Sequence, residues 1–343
     1  MTKIVVIGGS AGALEALKII LPMLPADFPA AILIVTHIGS QKSIIPDILG
    51  RCSAMPVRHA TDGEPIIPGR VLVAPPDEHL TVVARDGRAY VRLLHGPREN
   101  HCRPAIDPLF RSAATAFLED TIGVLLSGYL DDGTVGLQAI KACGGLVIVQ
   151  DPLDAKAMEM PASALQHVDV DRVLRIGDIA PSLVELATAG VRSGIRSGSR
   201  GHDNAVPAVP DWIGVENRIT SRDSDMDDLE QIGKLSSLTC PDCSGALWEV
   251  GHQAPIRYRC HTGHAFTAKV LETLQRDVVE DAIWAAVRAL HEQERLFSKL
   301  GERERQSGQV ERAAEYEAKA AQAKGHSQTL REVVVTRTLK VKT

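Results

Sequence analysis

The stretch GGSAGALEAL, residues 8–17, follows an apolar run, KIVVIG, and leads into a segment of helical period. A glycine-rich turn between a buried strand and a helix serves one of two devices: a cradle for a cofactor phosphate, or an elbow that lifts a serine out as a nucleophile. The dinucleotide pattern G-x-G-x-x-G needs a second glycine where the pyrophosphate approaches, and that position is Ser10. It also needs an acidic residue at the end of the next strand, where the chain has Thr36-His37. The pattern G-x-S-x-G is met in full by Gly8, Ser10 and Gly12.

Outward from this turn, residues 1–190 alternate short β-branched apolar runs with helix-period segments: AAILIVTH, RVLVAP, TIGVLLSG and GLVIVQD are strand-like, LEALKIILPML and PLFRSAATAFLED helical. Continuous hydrophobicity marks strands buried on both faces, and strands spaced by helices mark parallel crossovers. The sequence therefore predicts an α/β fold, a doubly wound, mostly parallel sheet of Rossmann-like type. Asp86-Gly87, between two alternating runs, predicts a β-hairpin.

A serine hydroxyl needs a base beside it, and His37 closes the neighbouring strand. A third strand end, LLSGYLDDGTVGL (125–137), offers Asp131 and Asp132. A carboxylate there can take the Nδ1 proton of a histidine, fix its tautomer and stabilise the imidazolium formed as serine attacks. Three such groups at three strand ends of one sheet point to a serine hydrolase.

Composition narrows the class. With 38 basic against 43 acidic residues, a net charge of −5 gives no general attraction to nucleic acid or anionic lipid. No apolar stretch approaches the roughly 18 residues of a membrane span, and the N-terminal run is too short for a signal peptide. A cytoplasmic protein is expected, with no nucleic-acid partner and no membrane insertion. Residues 191–235, rich in Gly, Ser, Pro and charge, read as a flexible linker.

Of six cysteines, Cys52, Cys102 and Cys143 are scattered, while Cys240 and Cys243 form C-x-x-C. After sixteen intervening residues, Cys260 and His264 form C-x-x-x-H. Three thiolates and one imidazole make the closed ligand set of a structural zinc site, with His261 a rival fourth ligand of poorer reach. Residues 236–268 are thus expected to form a zinc-ribbon-like module, too small to fold without a metal staple. The Ala-, Glu- and Arg-rich segment 269–335, broken near Gln306-Ser307-Gly308, predicts a helical hairpin.

Five blocks in order, IGGSAGALEAL, VTHIGS, DGEPIIPGRVLVAPPDEHL, GPRENHCRPAIDPLFRSAA and VLLSGYLDDGTVGLQAIKACGGLVIVQDP, resemble the catalytic domain of the chemotaxis protein-glutamate methylesterases, the CheB family. The resemblance covers residues 1–190. It implies Ser10 as nucleophile, His37 as base, and Asp132, which directly precedes the glycine, as the carboxylate. It further implies the Ala11 and Tyr129 amides as oxyanion donors and Arg103 as a residue steering an acidic receptor surface. The implied reaction, which needs no cofactor, is hydrolysis of glutamate methyl esters on the cytoplasmic helices of methylated chemoreceptors, with methanol release and often deamidation of glutamines. Ala13 and the segment GYLDDG stand where the family is richer in glycine. The catalytic strand begins at residue 3, so no receiver domain, and no control by phosphorylation in cis, is expected. The C-terminal module is expected to contact other chemosensory proteins. The alternatives are a non-catalytic regulatory or scaffold protein that keeps the esterase fold, and a serine esterase with another substrate.

Overall fold

The structure, a computed structural model, describes residues 3–39, 41–189, 209–221, 228–251 and 254–340, with side chains to residue 335. The N-terminal strands are β1 (Ile4–Gly9), β2 (Ala31–Thr36), β3 (Val57–His59) and β4 (Val71–Val73). After the hairpin β5 (His79–Arg85) and β6 (Arg88–Leu94) come β7 (Thr121–Leu125), β8 (Leu146–Gln150) and β9 (Arg172–Leu174). Seven of these form one sheet in the order β3-β4-β2-β1-β7-β8-β9, every pair parallel. From β1 the chain first builds outward through β2 and later returns to β1's other side with β7. This reversal makes the carboxyl end of β1 the switch point of the sheet, where open α/β folds place their sites.

The connecting helices are α1 (Ala13–Ile20), α2 (Ile45–Gly50), α3 (Ile106–Phe117), α4 (Thr134–Ala142), α5 (Glu159–His167) and α6 (Ile176–Ala189). They cover both faces, which is why every residue of β1 and β2 is buried. Alternate β1 side chains feed opposite cores: Ile4 and Val6 pack with Ile106 and Phe110 of α3, whereas Val5 and Ile7 pack with Leu17 of α1 and Leu183 of α6. Asp86 (φ 51°) and Gly87 (φ 72°) are both left-handed, as the two-residue turn of a β-hairpin requires.

The expected linker over 191–235 needs correction. Residues 190–208 and 222–227 lie outside the described residues, but α7 (Asp211–Ser221) and α8 (Asp228–Ile232) are helices packed in a core of their own. Val215, Ile219, Leu229 and Ile232 meet Trp248 and Val250 there, an apolar face that the polar average of the segment hides. The chain then forms an antiparallel sheet of β10 (Gly233–Thr239), β11 (Ala246–Val250), β12 (Arg257–Cys260) and β13 (Ala265–Thr267).

This small sheet belongs to the same compact unit as the parallel sheet, Met1–Leu271. The join is ionic and buried. Arg111 of α3 donates to both carboxylate oxygens of Glu99 at 2.8 Å. Arg259 of β12 lies 3.0 Å from Glu99 and 3.2 Å from Glu216 of α7, and Arg257 also pairs with Glu216. Arg111, Arg259, Glu99 and Glu216 are each at most 2% exposed. Burial works to raise the Glu99 carboxyl, but the Arg111 and Arg259 charges outweigh it and hold it far below the usual carboxylate range.

The second unit, Glu272–Thr343, holds most of α9 (Ala268–Gln306) and all of α10 (Val310–Lys340). The two helices pair as a hairpin, with Phe297 stacked on Tyr316 at 6.4 Å between ring centres and Arg305 paired with Glu317.

Candidate active site

Ser10 directly follows β1, the sheet's central strand. Gly9 is in register with Thr36 of β2, and Gly8 with Leu125 of β7. Residue 37 and the loop after β7 therefore flank Ser10 on either side. The His37 N–H donates to the Gly9 carbonyl at 3.3 Å, and the Ser10 N–H to the Ser127 carbonyl at 2.9 Å. Ser127 Oγ reaches across to the Ala11 carbonyl at 2.6 Å, fixing the turn from the other strand.

Two glycines are required by this crowding. Gly12 takes φ 87° to begin α1, and a Cβ on it would meet Lys156 Cβ at 2.7 Å and Ser127 Oγ at 2.9 Å. A Cβ on Gly128 would overlap Met160 Sδ and come within 3.0 Å of Ser10 Cβ.

His37 Nε2 lies 2.7 Å from Asp132 Oδ2. The ring thus engages the carboxylate through Nε2, whereas the sequence reading assigned that bond to Nδ1. The carboxylate sits on the far side of β1 from β2, and the outer ring nitrogen is the one that spans this gap. Among the described residues no hydrogen bond joins Ser10 to His37.

Asp132 is 2% exposed and anchored from several directions. Its Oδ2 accepts the Ile106 N–H at 2.8 Å. Its Oδ1 accepts Asn100 Nδ2 at 2.9 Å, the Gly133 N–H at 3.0 Å and the Asp107 N–H at 3.3 Å. Burial would raise this carboxyl, but the His37, Ile106 and Asn100 hydrogen bonds outweigh it and hold it below its ordinary value. Asp131 faces elsewhere: it accepts Thr267 Oγ1 at 2.7 Å, and burial pushes its carboxyl up to about 6 against that bond. Of the two adjacent aspartates, Asp132 is the one against the imidazole.

His37 is half-buried, and burial works to lower its pKa. The hydrogen bonds and charges of Asp132 and Cys102 win, raising it to about 10. Cys102, one of the scattered cysteines in the sequence, is therefore a neighbour of the site. A lone cysteine carries no sequence pattern that would mark it. Asn100 was equally silent, although it lies in the same block, GPRENHCRPAIDPLFRSAA.

The Ala11 and Tyr129 N–H groups, both outside helices and strands, donate to no other group among the described residues. Ala11 directly follows Ser10 and stands just before α1, whose positive N-terminal end favours an anion, and Tyr129 follows Gly128, where a Cβ would come within 3.0 Å of Ser10 Cβ. Arg103 differs from expectation. Its Nε and Nη2 donate to Asp77 Oδ1 at 2.9 and 2.7 Å and its Nη1 to the Gly96 carbonyl, contacts that favour a loop clamp over an open contact with an acidic surface.

The four expected metal ligands converge at the tip of the small sheet. Cys243 Sγ is 3.7 Å from Cys260 Sγ, and His264 Nδ1 is 3.5 Å from Cys260 Sγ and 3.7 Å from Cys240 Sγ. All four donor atoms lie within 4.8 Å of one another. A tetrahedral zinc ion with sulfur bonds of about 2.3 Å has ligand–ligand edges of about 3.7 Å, so the donor set fits that ion. His261 turns away and packs edge-on against Trp248 at 4.0 Å.

The model of the CheB methylesterase family matches residues 5–183. The chain belongs to the CheB methylesterase family. A relative from Leptospira interrogans serogroup Icterohaemorrhagiae serovar copenhageni is 41% identical over 183 residues, 53% of this chain and 93% of that protein. The protein-glutamate methylesterase/protein-glutamine glutaminase of Thermotoga maritima is 39% identical over 54% of each chain. The crystal structure of the Thermotoga maritima CheB methylesterase catalytic domain is 37% identical, with a TM-score of 0.53, covering 54% of this chain and 99% of that one. The CheB match ends before α7, so the small sheet and the helical hairpin lie beyond it. Among the described residues no helix is long and apolar enough to cross a membrane.

Proposed function

We propose that this chain hydrolyses glutamate methyl esters on the cytoplasmic helices of chemoreceptors, releasing methanol, and deamidates receptor glutamines by the same route. The carrying observation is the 2.7 Å His37–Asp132 pair at the sheet's switch point, beside a serine that directly follows the central strand. Ser10 Oγ attacks the ester carbonyl while His37 takes its proton through Nδ1, the ring nitrogen that Asp132 leaves free. Asp132 stays ionised and stabilises the imidazolium. The Ala11 and Tyr129 N–H groups receive the developing oxyanion, and each such donor is worth about 3 kcal/mol. His37 returns the proton to the leaving methoxide, giving methanol and an acyl-serine. A water then attacks the acyl group by the same relay, freeing glutamate. The test is methanol release from methylated receptor membranes. Ser10→Ala should abolish it with folding intact, and undiminished release by that variant overturns the reading.

Cys240, Cys243, Cys260 and His264 would hold a structural zinc ion. When bound, zinc would supply no reactive chemistry here and would only tie the β10–β11 turn to the β12–β13 turn, because the four protein ligands close its coordination. The Asp242 carboxylate lies 4.0 Å from His264 Nε2, beyond hydrogen-bond distance.

A further inference from the structure

The small sheet does more than sit beside the site. Residues 98–100 run along the open edge of β13 as a short extra strand: the Ala265 N–H donates to the Arg98 carbonyl at 3.3 Å and the Asn100 N–H to the Ala265 carbonyl at 2.7 Å. The Asn100 side chain continues the connection. Its Oδ1 accepts the Thr267 N–H at 3.1 Å, while its Nδ2 donates to Asp132 at 2.9 Å and to Asp107 at 3.1 Å. Asn100 holds φ 50°, a left-handed conformation that asparagine tolerates better than most residues. Two further links reach the loop after β7. Thr267 Oγ1 donates to Asp131 at 2.7 Å, and Lys269 pairs at 2.9 Å with Glu159, which accepts the Leu130 N–H at 3.2 Å. The segment 265–269 thus grips both the loop of Tyr129 and Asp132 and the strand of Asn100. His264, the fourth metal ligand, directly precedes Ala265.

We infer that β13 is a positioning clamp for the esterase site, acting on Asp132 through Asn100, and that metal in the Cys240–Cys243–Cys260–His264 knuckle holds the clamp in register. Asn100 and Thr267 are then positioning residues, and metal loading tunes how readily Ser10 is activated. The inference rests on the triad reading above and adds its regulation.

The test uses the full chain and a fluorophosphonate, which labels an activated serine whatever the natural ester. Absence of labelling at Ser10 in the wild type would sink the triad reading itself. Given labelling, Asn100→Ala should slow it roughly tenfold, the loss of one hydrogen bond to a charged group. The cooperative unfolding transition should persist, and the NMR titration midpoint of the His37 imidazole should fall. Stripping the metal with a chelator should slow wild-type labelling by a similar factor and speed hydrogen exchange at the Asn100 and Thr267 amides. In Asn100→Ala the same stripping should add much less, since both perturbations cut one connection. Wild-type labelling rates in Asn100→Ala, unchanged exchange at those two amides on metal removal, or losses that multiply in full would each overturn the inference.

Discussion

Replacing Asp132 with Asn isolates the electrostatic core of the site. The amide keeps the shape of the carboxylate but not its charge. In the folded protein the His37 pKa stands at about 10 against an ordinary 6.5, a rise worth roughly 5 kcal/mol in favour of the imidazolium. In the proposed mechanism the same preference would steady the imidazolium formed as Ser10 attacks, and it would make the neutral base scarce near neutrality. Wild-type kcat/KM should therefore climb about tenfold per pH unit from pH 7 toward a midpoint near 10, because deprotonation creates the base. In Asp132→Asn, burial is opposed only by Cys102, so the midpoint should drop toward 6.5 or below, and the limiting rate should fall by about 10³ to 10⁴. Methanol release measured from about pH 5 to about 11, with NMR titration of His37, reads both quantities. Stability gives the matching sign. A raised imidazole stabilises the fold fully below 6.5 and loses that contribution as pH rises through about 10, so wild type should lose its margin over Asp132→Asn across that window. A wild-type midpoint at 6.5, or one unmoved by the substitution, refutes the reasoning.

Cys102→Ala should also lower the His37 midpoint, by less than Asp132→Asn, and so raise kcat/KM at neutral pH; a pH–rate profile in the variant checks it. Glu216→Ala leaves Arg257 without its buried counter-charge and Arg259 with Glu99 alone, and should cost about 3 to 5 kcal/mol in urea unfolding. Gly128→Ala forces a methyl against Met160 and Ser10 Cβ, so Ser10 labelling should slow and the unfolding midpoint drop together.

The parallel sheet was legible because its strands are buried on both faces and so are written as unbroken apolar runs, Ile4 to Ile7 being the plainest. The convergence of Ser10, His37 and Asp132 at one end of the sheet was legible for a related reason. Each sits where an apolar run stops, and a parallel sheet brings such endpoints together. The ring nitrogen used by His37 was not legible, because it depends on the width of one strand between partners 95 residues apart in sequence. Cys102 and Asn100 follow no period and no spacing rule, and only the fold sets them beside Asp132. The packing of α7 was hidden for a different reason. Its glutamate, Glu216, is buried against Arg257 and Arg259, some forty residues later, and Arg111, about a hundred residues earlier, whose charges answer its own. A polar-looking segment can be core when its charges are answered from far along the chain.

That buried ionic join also bears on why the small sheet can act on the site at all. A tethered module linked by exposed pairs would contribute little, since each such pair is worth at most about 1 kcal/mol. Here Glu99 takes Arg111 from α3 and Arg259 from β12, and the very next residue, Asn100, donates to Asp132. The carboxylate paired with His37 is thus one hydrogen bond from a strand whose position is set by the ion network on one side and by β13 on the other. Dislodging β13 would pull on Asn100 directly, whereas Asp132 would still keep its three backbone donors. Loss of the clamp should therefore slow the reaction by a graded factor and leave a working site, the behaviour of an adjustable esterase.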